Sequence, residues 1–220
     1  GGTFMMGATP EQEDEATDDE RPVHEVTLSS FFIGQTEVTV GLWKAVMGYC
    51  PIPSYLPEHN HDPRMPAQLV SWYDYQEFIA KLNEMTGRTF RMPTEAEWEF
   101  AARGGNHSHG YKYAGSDNLD DVAWYEENWL EGTNPFVRMK APNELGLYDM
   151  SGLMWEWCQD WYGPYGSETL VNPVGPESGT NRVIRGGSYP SANYCRVSCR
   201  NSNPPDERVR IGLRLVMDEE

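Results

Sequence analysis

Glycine and proline interrupt this chain along its whole length, and large aromatic side chains lie between the interruptions. The sequence holds 21 Gly and 16 Pro among 220 residues, together with 8 Trp, 12 Tyr and 7 Phe. That Gly and Pro content argues against a coiled coil, and an apolar fraction of 39% is low for a helical bundle. Disorder is excluded because so much aromatic surface is costly to leave in water. The sequence therefore predicts a loop-rich domain with an aromatic core.

Acidic residues outnumber basic ones, with 34 Asp and Glu against 17 Lys and Arg and a formal net charge of −17. A surface of that sign repels phosphate backbones and anionic lipids, so we expect no nucleic-acid partner. We also expect no membrane insertion, because no apolar stretch approaches the roughly 18 residues that span a bilayer. Divalent cations and neutral or cationic partners stay open. Seven of the ten residues 11–20 are acidic, which predicts a solvated, mobile segment.

Regular secondary structure is predicted for only part of the chain. Apolar residues recur at intervals of three and four over residues 71–85, and Gly87 follows as a stop, which predicts a helix. A second helix is predicted after Pro93, where Thr94 and Glu97 have capping-box spacing. The other predictions are a short helix over 39–47 and strands near 24–33, 154–157, 182–184 and 212–217. This order indicates an α+β fold in one domain over residues 1–220.

A set of short motifs extends over nearly the whole chain in a fixed order. The motifs are MMG at 5–7, RPVHEV at 21–26, EVT at 37–39, RMPTEAEWE at 91–99, NELGLYDMSG at 143–152, WEW at 155–157, RGGS at 185–188 and IGLR at 211–214. Together they resemble the formylglycine-generating-enzyme family, also called the sulfatase-modifying-factor family. The resemblance implies a C-type-lectin-like fold, loop-rich, with two main helices and short antiparallel strands.

The family places several functions on this fold, so the function has to be argued from sites. They include copper-dependent oxidation of a substrate cysteine to formylglycine, iron-dependent sulfoxide synthesis, and ligand binding without chemistry. The last group contains the variable proteins of diversity-generating retroelements, which this sequence resembles most. A structural component of surface lipoprotein machinery is a further alternative.

The cysteine pattern argues against the oxidase. In the family's oxidases two cysteines follow the Arg-Gly-Gly-Ser motif and hold Cu(I), for which thiolates are the matched ligands. Here the corresponding segment is shorter and carries one cysteine, Cys195, which leads directly into Arg196. We therefore expect no copper and assign no catalytic residue. A formylglycine-generating oxidase acting on a peptide cysteine through Cys195 or Cys199 stays as the alternative.

The histidines do not suggest an iron site. The pairs His59/His61 and His107/His109 lie in polar stretches, and no third ligand is placed beside either pair by a recognisable spacing. We expect these histidines to be solvated loop residues.

One metal site of the family is matched by residues 149–156. The resemblance implies a Ca²⁺ ion held by the side chains of Asp149 and Glu156 and the backbone carbonyls of Gly152 and Met154. Such a set suits Ca²⁺, which takes six to eight oxygen ligands. We expect the ion to have a structural role. The alternative is that the two carboxylates bond the backbone and hold no ion.

The resemblance to variable proteins points to residues 186–216 as the ligand-binding segment. In those proteins the varied residues alternate with fixed ones in this segment. The candidate ligand-contacting residues are Tyr189, Pro190, Ser191, Asn193, Tyr194, Cys199, Ser202, Asn203, Pro205, Val209 and Arg210. Tyr with Ser and Asn gives rigid amphipathic area and adaptable hydrogen bonds, as in antibody paratopes. We expect a protein or other macromolecular ligand on this surface, and the oligomeric state stays open.

The four cysteines are too few for a disulfide scaffold. The fold implied by the resemblance would bring Cys158 near Cys195, so a disulfide between them is one expectation, and buried thiols in a reducing compartment are the other. An exported or cell-surface location is favoured, although the compartment stays open.

Overall fold

The computed structural model describes residues 1–129, 135–188 and 192–219, apart from the side chains of Glu13 and His59. Short strands and a few helices are separated by long irregular stretches. The strands are β1 (Gly2–Met6), β2 (His24–Leu28), β3 (Phe31–Ile33), β4 (Phe90–Arg91), β5 (Trp155–Trp161), β6 (Leu170–Val171), β7 (Arg182–Arg185), β8 (Arg200–Asn203), β9 (Ile211–Gly212) and β10 (Val216–Asp218). The helices are α1 (Val40–Met47), α2 (Trp72–Thr86), α3 (Glu95–Ala102) and α4 (Leu119–Val122). The predicted α+β, C-type-lectin-like class is confirmed.

The three longer helices begin where the sequence supplies a capping side chain. Thr39, Ser71 and Thr94 each accept a hydrogen bond from a backbone N–H of the first turn, which satisfies a donor that the helix leaves unpaired. Helix α2 ends at Gly87 with a φ of 67°. The predicted helices over 39–47, over 71–85 and after Pro93 are all present. Across the described residues, no helix has the length and apolar character needed to cross a membrane.

The strands pair in the orders β1–β2–β6, β3–β10–β4 and β8–β7–β5–β9. In the last of these sheets β5 runs antiparallel to β7 and parallel to β9, so Trp155 lies opposite Ile211.

Two predicted strands are wrong in extent. Residues 24–33 divide between β2 and β3, and residues 212–217 between β9 and β10, and each half joins a different sheet. Alternating polarity shows that a segment is extended, but it does not identify the strand's partner.

The main hydrophobic core lies between α1, α2 and the β8–β7–β5–β9 sheet. The Trp43 ring stacks on Phe78 with centroids 5.2 Å apart and meets Tyr75 edge-on at 5.4 Å. Trp157 on β5 packs into the same cluster. Aromatic side chains contribute large apolar areas on burial, and the core is aromatic, as the composition predicts.

Buried ion pairs hold the C-terminal third of the chain, and three of the four connect it to the first half. The pairs are Arg185 with Glu99, Arg200 with Glu95, Arg196 with Glu20, and Arg214 with Glu156. All eight side chains are buried, and buried charges are tolerated only when they are paired. The charged positions of the sequence motifs therefore serve packing and orientation of the chain.

The predicted solvation of the acidic segment 11–20 holds for only part of it: Asp14, Glu15 and Asp18 are exposed, whereas other residues of the segment are not. Residues Pro10–Glu15 and Asp18–Glu20 form 3₁₀ turns, and Gln12 and Glu20 are buried. Glu20 lies 2.6 Å from the Arg196 guanidinium. Arginines that are distant in sequence neutralise part of the charge of this segment.

Candidate functional site

The turn that carries Asn193 and Tyr194 packs closely against the Gly-Gly bend that follows β7. This turn spans Ala192–Cys195. A Cβ atom at Gly187 would lie 2.4 Å from the carbonyl oxygen of Tyr194, and the φ of Gly187 is +73°. Only glycine allows both this approach and this backbone conformation. The Arg-Gly-Gly-Ser motif thus positions the turn against the sheet.

Several predicted ligand-contacting residues lie around Trp155. Tyr194 is 42% exposed, and its ring centroid is 5.6 Å from that of Trp155. Trp155 pairs with the first residue of β9, directly after the exposed Arg210. Val209 is half-buried and packs against the same core cluster as Trp155. We call this set the Tyr194 surface, which consists of Trp155, Asn193, Tyr194, Val209 and Arg210.

Ser202 and Asn203 lie apart from the Tyr194 surface. They are on β8, and β8 and β9 are at opposite edges of their sheet, which places them roughly 14 Å apart at ordinary strand spacing. Both side chains are half-buried and already bonded. The Ser202 hydroxyl accepts from Asn181 at 3.2 Å, and the Asn203 amide donates to Glu207 at 3.2 Å. The predicted residues therefore do not form one contiguous patch.

Two predicted ligand-contacting residues are in the interior. Cys199 is 5% exposed. Pro205 is buried, and its carbonyl accepts a hydrogen bond from the backbone N–H of Trp72 at 3.0 Å. Neither side chain is available to a macromolecule, so both are removed from the binding surface. Tyr189, Pro190 and Ser191 lie outside the described residues.

The C-terminal thiols lie in the interior, away from solvent. Cys195 and Cys199 are 0% and 5% exposed. Burial raises the pKa of each thiol to about 12, so without a bound metal both are protonated near neutral pH. Cys158 is a free thiol in a different hydrophobic cluster from Cys195. The expected Cys158–Cys195 disulfide is not present in the structure.

The predicted calcium ligands lie next to a buried cluster of carboxyl groups. Asp149 and Glu156 are 3% and 0% exposed, and Glu37 beside them is 2% exposed. Arg214 donates to Glu156 at 2.8 Å, and its guanidinium is 3.9 Å from Glu37. Three carboxyl groups thus share one guanidinium, and sequence reasoning missed Glu37. Glu37 is the first residue of the EVT motif at 37–39, but nothing in this motif indicates that its side chain lies beside Asp149.

The charge balance of this cluster favours an additional cation. The backbone N–H of Arg138 bonds one Asp149 oxygen at 2.8 Å, while the other Asp149 oxygen and both Glu37 oxygens are buried without a hydrogen-bond partner. Burial raises the pKa of Asp149 to about 6 and raises the pKa of Glu37 well above its ordinary value. Unpaired buried carboxylates are costly.

The fit to Ca²⁺ rests on the oxygen of Asp149 that has no hydrogen-bond partner. Both Glu156 oxygens already accept hydrogen bonds from Trp98 and Arg214, and the Gly152 carbonyl accepts from the Met154 N–H. Within the described ranges, no group of three or more His, Cys, Asp or Glu side chains is arranged to hold a metal. A calcium site here would depend on backbone carbonyls as well as on the two carboxylates, as the sequence motif implies.

Comparison with known proteins identifies the family. The model of the sulfatase-modifying factor enzyme 1-like domain matches residues 1–219. The formylglycine-generating enzyme of Streptomyces coelicolor is 38% identical over 176 residues, which are 71% of this chain and 54% of that protein. The chaperone protein LppX of Paenibacillus barcinonensis is 32% identical over 243 residues, covering 84% of this chain and 81% of LppX.

A solved structure supports the same family assignment. Treponema denticola variable protein 1 matches with a TM-score of 0.85 and 31% identity, over 99% of this chain and 92% of that one. The chain spans about half the length of the Streptomyces enzyme, so the activity of that whole protein is not transferred to it. Because the family model covers residues 1–219 and these relatives align over most of the chain, the chain belongs to the sulfatase-modifying-factor, or formylglycine-generating-enzyme, family.

Proposed function

We propose that this protein is a ligand-binding domain without catalytic activity, and that it contacts a protein ligand through the Tyr194 surface. The observation that carries the proposal is the exposed Tyr194 ring against Trp155, held by a rigid glycine bend. The similarity to Treponema denticola variable protein 1 over nearly the whole chain supports it. That relative also motivates the finer proposal that the exposed positions of residues 186–216 are diversified.

The side chains of the Tyr194 surface suit protein recognition. Tyr and Trp supply large contact areas with few rotatable bonds, and such residues are frequent in binding hot spots. Asn193 and Arg210 provide hydrogen-bond donors beside them, and both are exposed. The scaffold below is fixed by buried ion pairs, so the surface residues can change without loss of the fold.

The alternative function is oxidation of a peptide cysteine, and the identity to the Streptomyces coelicolor enzyme favours it. That chemistry would require Cys195 or Cys199 to reach both copper and substrate. Both thiols are buried, with 0% and 5% exposure, so neither is open to a peptide substrate. These observations support binding over oxidation.

The finer proposal is tested in the DNA around the gene. Diversification predicts a near-copy of the segment encoding residues 186–216 that differs mainly at adenines, beside a reverse transcriptase gene. It also predicts that isolates differ at Asn193, Tyr194 and Arg210 but keep Arg196 and Arg200. A locus without such a copy, with the same Tyr194 surface in every isolate, would contradict the variable-protein proposal.

We further propose that Ca²⁺ binds to Asp149, Glu156 and the carbonyls of Gly152 and Met154 and stabilises the scaffold. The buried Asp149 oxygen without a partner and the excess of carboxyl groups over guanidinium support this proposal. The ion would have no role in chemistry. It would fix the segment that enters β5 below the Tyr194 surface.

A further inference from the structure

A cleft of about 340 Å³ opens between α3, the end of β5 and residues 163–176. It contains none of the residues proposed above for ligand or calcium binding. Apolar side chains make up most of its walls, among them Tyr165, Leu170, Pro173, Val174 and Pro176. Its size is within the range of small-molecule sites, which combine apolar walls with a few placed polar groups.

The carboxyl group of Asp160 is a polar feature of this cleft that forms no ion pair among the described residues, although Arg182 is near enough to interact with it electrostatically. Asp160 lines the cleft and is 5% exposed. One of its oxygens accepts from the Glu95 N–H at 2.8 Å. The backbone N–H of Asp160 itself also bonds the carboxylate, and among the described residues no side chain forms an ion pair with it. Gly175 packs against it so closely that a Cβ there would lie 3.0 Å from the second carboxyl oxygen.

The cation that also lines the cleft is already paired. Arg200 donates to both oxygens of Glu95, at 2.8 and 2.7 Å, and to the carbonyls of Asp19 and Gly163. Its guanidinium lies 3.9 Å from the centre of the Tyr165 ring. Arg200 therefore balances Glu95 and does not neutralise Asp160, and the other basic side chain among the described residues that line the cleft is His24.

The surroundings of this carboxyl group favour its protonated form. Burial, together with the charge of Glu95, raises the pKa of Asp160 to about 8, so the group holds a proton near neutral pH. A bound cation would compensate the carboxylate and release that proton. The net charge of −17 raises the concentration of cations near the protein.

We propose that this cleft binds a small organic cation, an ammonium group on a compact apolar body, with the ammonium paired to Asp160. The apolar walls cover the apolar body of the ligand, and the Asp160 carboxylate at the base makes the cleft selective for a positively charged ligand. An inorganic metal ion fits less well, because in the described part of the chain no three acidic, His or Cys side chains converge on one point. This inference is independent of the function of the Tyr194 surface.

The test is a calorimetric titration of the full chain with benzylamine and with benzyl alcohol, its neutral counterpart. We expect benzylamine to bind at least tenfold more tightly, with release of protons at pH 7.5. Asp160→Asn removes the difference between the two compounds, whereas Glu84→Gln, the same carboxyl-to-amide replacement on the exposed face of α2, keeps the difference. Equal affinity for the two compounds, or an unchanged preference in Asp160→Asn, overturns the proposal.

A second pair of variants covers the case in which Asp160→Asn does not fold, since Asp160 also bonds the start of α3. Val174 lines the cleft and is 65% exposed, so its replacement leaves the core intact. We expect Val174→Glu to strengthen benzylamine binding severalfold and Val174→Lys to weaken it severalfold. The same benzylamine affinity in both variants overturns the proposal.

Discussion

The pair between Glu20 and Arg196 provides a direct test of how the C-terminal segment is held. Both side chains are fully buried, and two guanidinium nitrogens of Arg196 donate to the two Glu20 oxygens at 2.7 and 2.6 Å. Glu20→Gln removes the carboxylate that pairs directly with Arg196 and leaves only Glu15, 3.9 Å from the guanidinium, as a counter-charge. Removing one partner of a buried pair costs about 3–5 kcal/mol, a large share of a typical unfolding free energy of about 5–15 kcal/mol.

The assay is urea unfolding at pH 7, followed by tryptophan fluorescence. We expect Glu20→Gln and Arg196→Met each to lower the unfolding free energy by about 3–5 kcal/mol with an unchanged m-value. The double variant should lose less than the sum of the two, because the single changes remove the same interaction. Asp62→Asn, which removes a carboxylate from an exposed pair, serves as the control and should unfold like the wild type.

The pH dependence of the same pair has a defined sign. Burial raises the pKa of Glu20, but hydrogen bonds from Arg196 and Ser198 outweigh that effect and lower the pKa to about 2, against 4.5 in an unfolded chain. A lowered pKa stabilises the folded state above pH 4.5, and this contribution is lost as the pH falls towards 2. The deficit of Glu20→Gln should therefore shrink over that interval. A deficit below about 1 kcal/mol at pH 7, or one independent of pH, would refute the reasoning.

Three further predictions concern the calcium site, the Tyr194 surface and the core. Ca²⁺ at 100 times its dissociation constant should stabilise the protein by about 2.7 kcal/mol, Mg²⁺ should do less, and Asp149→Asn should abolish the effect in a thermal-shift assay. Tyr194→Ala and Arg210→Ala should change the unfolding free energy by only about 0.5 kcal/mol; a loss of several kcal/mol would show that these side chains belong to the scaffold. Trp43→Ala, by contrast, should cost about 3–5 kcal/mol in urea unfolding, and a near-neutral result would contradict the stacked aromatic core.

Local signals allowed the helices to be predicted well. A capping residue, an apolar period and a terminal glycine all lie within about 15 residues, as in α2 with Ser71 and Gly87. The strands were harder, because a segment such as 24–33 has the alternation of one strand but changes sheets after Leu28. Strand pairing depends on partners that are distant in sequence, and periodicity does not contain that information.

The candidate sites were predictable where a motif carried them and unpredictable where distant charges met. The acidic segment 11–20 reads as solvated until Arg196 is placed beside Glu20, 176 residues later. Glu37 is brought beside Asp149 in the same way. Cys199 and Pro205 alternate with other polar residues in a segment that resembles a variable surface, and only the fold shows that both are buried.

The central claim is that the C-terminal segment binds a ligand and does not oxidise one with copper. Native mass spectrometry of the reduced protein, mixed with one equivalent of Cu(I) and a competing chelator, tests this claim most directly. Because Cys195 and Cys199 are 0% and 5% exposed, we expect the chelator to remove all copper. One copper ion retained per chain, and lost in both Cys195→Ser and Cys199→Ser, would contradict the account and support the oxidase.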